Sequence, residues 1–63
     1  MRKSTYLFEV MDRKGKMLHR CKRRCNNIGA HALAGDLLSA APEAAAVYGF
    51  EVHGMQVHVA YRR

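Results

Sequence analysis

The sequence predicts an α+β fold of ββαββ order: a four-stranded, mostly antiparallel sheet with one helix packed on one face. Three observations lead to it. Apolar residues alternate with a period of two in two stretches, one towards each end of the chain. Each stretch contains a turn signal, Asp12-Arg13-Lys14-Gly15 in the first and His53-Gly54 in the second. Between them lies an alanine-rich segment whose apolar residues recur at helical spacing. The 63 residues are read as a single small basic domain, 1–63. A chain of this size buries only ~60% of the surface it exposes when unfolded, so a deep catalytic pocket is not expected.

The first hairpin is read from STYLFEVMDRKGKMLHRCKR. Asp12 suits the first turn position and Gly15 the left-handed one, as in a type I turn with a bulge. Tyr6, Phe8, Val10 and Leu18 are then expected on one face. Leu7, Met11, Met17 and Cys21 fall on the other, with Glu9 opposite His19. The apolar excess on this second face makes Leu7, Met11 and Met17 a candidate protein interface, including that of a homodimer. Scattered surface hydrophobics are the plainer alternative.

NNIGAHALAGDLLSAAPEA follows as the helix. Asn26 or Asn27 can cap its start. Ala30, Leu33, Ala34, Leu37, Leu38 and Ala41 form an apolar stripe, with His31, Gly35, Asp36 and Ser39 opposite. Pro42 disfavours a helical Ala41 and marks the end. The last element, AVYGFEVHGMQVHVAYRR, reads as a second hairpin. Val52 is expected to pair with Met55, Phe50 with Val57, Tyr48 with Val59 and Ala46 with Tyr61, all on the core face. Strand order does not follow from the sequence. If the third strand lies beside the first, the helical connection takes the preferred right-handed path.

Charge is distributed unevenly. Nine of the eleven Lys and Arg residues lie in the first 25 positions, and none lies between 26 and 60. With a net charge of +6, this points to one positively charged face and an anionic partner. The densest run is HRCKRRCNN, residues 19–27. Arg20, Lys22, Arg23 and Arg24 precede a helix N-terminus, where free amides favour anions, and Asn26 and Asn27 can cap or donate. Arg13, Lys14 and Lys16 make a second cluster at the hairpin tip. These nine residues are the candidate contacts to a nucleic-acid backbone, an acidic protein or a ribonucleoprotein. A solvated charge run is the alternative. Tyr6, Phe8, Tyr48, Phe50 and Tyr61 all map to the core side, so an aromatic platform for stacking single-stranded bases is not expected.

His19, Cys21, Cys25 and His31 raise the question of zinc, but the cysteines follow C-x3-C rather than the usual paired spacing, and no metal or cofactor is expected. A disulfide between Cys21 and Cys25 would need a bend after the strand. Neighbouring cations and the helix N-terminus are expected to lower the Cys25 thiol pKa. No Cys-His-acid set is legible, and an enzyme is not expected. His19 and His58 map to the open face beside Glu9, Glu51 and Gln56, most simply as exposed sheet side chains.

No apolar run approaches the ~20 residues of a membrane span, and the basic N-terminus lacks an apolar stretch of signal-peptide length. With its unpatterned cysteine pair, the chain is read as cytoplasmic. In size and layout it resembles the short basic α+β accessory proteins of phages and mobile elements, anti-CRISPR inhibitors among them. That resemblance covers the whole chain in outline and rests on no residue motif. It implies an alternative function: an inhibitor docking on a host protein or ribonucleoprotein through its basic surface and open sheet face. The first expectation is a nucleic-acid-binding accessory protein that contacts the phosphate backbone with weak sequence specificity.

Overall fold

The computed structural model describes residues 2–54 and 56–63. Among the described residues the elements are β1 (Ser4–Asp12), β2 (Met17–Cys25), α1 (Asn27–Ala40), β3 (Ala44–Glu51) and β4 (Gln56–Arg62). The strands form one antiparallel sheet in the order β2-β1-β3-β4, and α1 packs against one face of it. This is the expected ββαββ arrangement, with β3 beside β1. The expected pairing of Val52 with Met55 lies outside the described residues.

The β1–β2 turn has the expected chemistry. Gly15 sits at φ 81°, and its N–H donates to the Asp12 carbonyl at 3.1 Å. The Asp12 carboxylate accepts from the backbone N–H of Lys14 at 2.9 Å and of Lys16 at 2.8 Å. Glycine takes this left-handed conformation without the steric cost a Cβ would add. Asn26 is the helix N-cap, its side-chain oxygen accepting from the Gly29 N–H at 2.7 Å. At the other end Ala41 is extended, as a residue before proline prefers.

Tyr6, Phe8 and Val10 of β1 face the helix, together with Ala44, Val47 and Val59. Ala30 and Ala34 lie fully buried beneath α1, flanked by half-buried Leu33, Leu37, Leu38 and Ala41. The predicted helix stripe therefore packs as expected. His31 and Gly35 do not stand opposite it. They lean on β4, where His31 Nδ1 is 3.2 Å from the Tyr61 hydroxyl.

The second hairpin differs from the expected register. Phe50 does pair with Val57, but a bulge between Gly49 and Phe50 leaves His58 unmatched, and Gly49 pairs with Val59. Beyond the bulge Val47 faces Tyr61, and Tyr48 faces Ala60. Tyr48 and Phe50 thus point away from the helix, alternating with inward Val47 and Gly49. The physical reason is volume. A Cβ at Gly49 would stand 3.0 Å from Phe8 Cε1 and 3.2 Å from Val59 Cβ. With Tyr6 and Phe8 already inside, the layer under an alanine-rich helix has no room for two further aromatic rings.

The first hairpin also carries a bulge, between Val10 and Met11, which pairs Met11 with Met17 and leaves Leu18 unmatched and 39% exposed. Glu9 consequently faces Arg20 rather than His19, and Cys21 lies opposite Phe8 on the helix side. His19, opposite Val10, is on that side too.

Candidate functional site

The side of the sheet turned away from α1 has no covering element among the described residues. Its composition follows from the register in three rows across the strands. Met17, Met11, Ala46 and Arg62 form one row. Arg20, Glu9, Tyr48 and Ala60 form the next, and Lys22, Leu7, Phe50 and Val57 the third. Arg24 extends the face beside Thr5. Cations stand on the two edge strands, while Leu7, Met11, Tyr48 and Phe50 occupy the middle, half-buried.

The cations Arg20, Lys22, Arg24 and Arg62 are all exposed, and among the described residues none joins an ion pair. The Arg62 guanidinium lies over the Tyr48 ring, 5.9 Å from its centroid. Phe50 carries no ring partner among the described residues. Two shallow depressions mark the face. One, about 270 Å³, is lined by Leu7, Glu9, Lys22, Phe50 and Val52. The other, about 400 Å³, takes in Met11, Arg13, Tyr48 and Arg62. Chemically, the face can hold anionic groups at its edges and flat apolar groups at its centre.

The candidate residues read from the sequence separate into groups. Arg20, Lys22 and Arg24 share the open face with Leu7, Met11 and Met17. Arg23, opposite Tyr6, lies on the helix side, with one guanidinium nitrogen donating to the Lys22 carbonyl at 2.7 Å. Asn26 is engaged in capping, and Asn27 opens the helix as an exposed residue. The helix N-terminus is therefore on the opposite side of the sheet from Arg20, Lys22 and Arg24. Arg13, Lys14 and Lys16 cluster at the turn, at one end of the sheet. The alternation of a nine-residue strand, applied to HRCKRRC, is the signal that splits this basic run between two faces.

Cys21 and Cys25 are free thiols on one strand, four residues and so about 13 Å apart, well beyond disulfide reach. Contrary to expectation, burial pushes the Cys25 thiol above its usual range, and Lys3 offsets this only in part. Among the described residues no three His, Cys, Asp or Glu side chains converge as metal ligands. His58 is not an open-face residue: its Nε2 lies 3.0 Å from Glu51 Oε2, and its ring meets Tyr6 edge-on.

Missed by the sequence reading were Tyr48, Phe50, Glu9 and Arg62 as a group. Arg63 was missed too. Its guanidinium donates to the carbonyls of Leu38, Ala41, Pro42 and Ala44 and closes the helix C-terminus. No helix among the described residues is long and apolar enough to cross a membrane. No family model, curated protein or solved structure matches the chain.

Proposed function

We infer that this chain binds a nucleic-acid backbone, with weak sequence specificity, through the open face of its sheet. The observation that carries this reading is the alignment of Arg20, Lys22 and Arg24 along one face of β2, with Arg62 across the sheet on β4. Unpaired cations in a row suit a ligand with evenly repeated negative charge, and arginine forks match phosphate oxygens. The helix-side residues of the same strand are His19, Cys21, Arg23 and Cys25, so three of its four Lys and Arg side chains stand on the open face. A polyanion laid along β2 would also cover Met17, which is 41% exposed.

The test is a fluorescence-anisotropy titration of the chain against random oligonucleotides at low and moderate salt, beside a variant carrying Arg20→Ser, Lys22→Ser and Arg24→Ser. Salt-sensitive binding that the variant loses is the expected result, because phosphate contacts release counterions. No binding at low salt would refute the reading and redirect it to an acidic protein partner.

A further inference from the structure

We propose that the ligand of the open face is single-stranded RNA, with phosphates on the β2 cations, ribose over Glu9 of β1 and bases on Phe50 and Tyr48 of β3. The proposal rests on the nucleic-acid reading and specifies its substrate. Three features of the sheet lead to it.

The first is the order of chemistry across the strands. From the β2 edge inward, one row runs Arg20, Glu9, Tyr48 and the next Lys22, Leu7, Phe50. Adjacent strands stand about 4.8 Å apart, so the backbone positions of cation and ring are separated by about 9.6 Å. The Arg20–Glu9–Tyr48 row follows a nucleotide's order of charge, polar sugar and flat base, while the Lys22–Leu7–Phe50 row sets apolar Leu7 between charge and ring. Glu9 also opposes a phosphate track along the middle of the sheet, which leaves the β2 edge as the path for the backbone.

The second feature is ring spacing. Tyr48 and Phe50 are two residues apart on β3, hence about 6.6 Å. Bases stacked in a helical strand are about 3.4 Å apart. Neighbouring bases can each cover one ring only when the strand is pulled out of its own stack, and paired bases in a duplex offer no free faces. The depression beside Phe50, about 270 Å³, has room for a flat ring system. The Arg62 guanidinium lies 5.9 Å from the Tyr48 centroid, so a base on Tyr48 shares that ring with Arg62, while Phe50 has no ring partner among the described residues.

The third is Glu9. A carboxylate accepts hydrogen bonds and donates none. Placed between phosphate and base positions, it suits a ribose 2′-hydroxyl, which donates. Deoxyribose would leave it facing an anionic strand without a partner.

The experiment uses the intact chain and one mixed sequence made as RNA, as DNA and as a duplex, all at low salt. The single RNA strand should bind more tightly than the DNA strand by roughly five-fold, the worth of one hydrogen bond. Phe50→Leu, which keeps an apolar side chain outside the core, should weaken RNA binding roughly ten-fold or more. Glu9→Ala should bring RNA and DNA affinities together. Phe50→Trp introduces the sole tryptophan of the chain, and its emission should be quenched as RNA stacks on it. Thermal melts of each variant check that the fold is retained. Duplex binding as tight as the strand, DNA binding as tight as RNA, or an unaffected Phe50→Leu chain would each overturn the proposal while leaving backbone binding intact. Competition by polyglutamate as effective as by RNA would overturn it in favour of an acidic protein. No binding to any oligonucleotide would remove both the proposal and the reading beneath it.

Discussion

Replacing Lys22 and Arg24 with serine should flatten the salt dependence of binding by an amount that follows from the sheet register. Arg20, Lys22, Arg24 and Arg62 are the cations on the open face. Three of them, Arg20, Lys22 and Arg24, lie on the β2 edge that carries the backbone. For single strands, each neutralised phosphate contributes about −0.7 to the slope of log affinity against log salt, so three contacts give about −2.1. Raising salt four-fold, from about 50 to about 200 mM, then weakens the native chain roughly 18-fold. With two contacts removed the slope falls to about −0.7 and the same change costs roughly three-fold. Anisotropy titrations at several salt concentrations measure both slopes. Serines at Lys14 and Lys16 serve as the control, because those residues sit at the turn and not on the face. An unchanged slope in the Lys22/Arg24 variant, or an equal flattening in the Lys14/Lys16 variant, would refute the assignment of charge to the sheet face.

Other consequences concern the scaffold. Gly49→Val should destabilise the fold by about 1–3 kcal/mol in chemical denaturation, since its side chain would collide with Phe8 and Val59; unchanged stability would contradict the packing account of the inverted strand. Arg63→Ala should lower stability by about 1 kcal/mol through loss of a cation at the helix C-terminus, read as a lower midpoint in urea. Gly15→Ala should cost about 1 kcal/mol by placing a Cβ at positive φ, with little change in oligonucleotide affinity. Because burial raises the Cys25 pKa, its thiolate fraction at neutral pH is below that of a free cysteine. Its alkylation should therefore be slower near neutrality than that of a free cysteine and level off at a higher pH, as followed by mass spectrometry.

The elements and their order were legible because the signals are local. Asp12 and Gly15 favour a turn when placed three apart between alternating strands, and Asn26 caps the first amides of the helix that follows. The bulges within the two hairpins were not legible. Each inserts one residue, Leu18 or His58, and each reverses the facing of what lies beyond it. An apolar alternation that reads Tyr48-Phe50-Val52 as inward fits the sequence as well as one that reads Val47-Gly49 as inward. The presence of Phe8 and Val59 against position 49, where a Cβ would be crowded, favours the second. That is a tertiary constraint, and it also determines the character of the site. With the aromatic pair inside, the open face would be a basic surface; with it outside, the same face carries rings between the β2 cations and Arg62. The role of Arg63 was hidden for the same reason, since its carbonyl partners lie about twenty residues upstream.

Methyl NMR during titration with a short single-stranded RNA tests the central claim most directly, because methyl groups report which side of the sheet meets the ligand. The account predicts shifts at Leu7, Met11, Met17 and Val57 on the open face, with Ile28, Leu33 and Leu37 of the helix unmoved. Shifts confined to the helix methyls, or none at low salt, would contradict it.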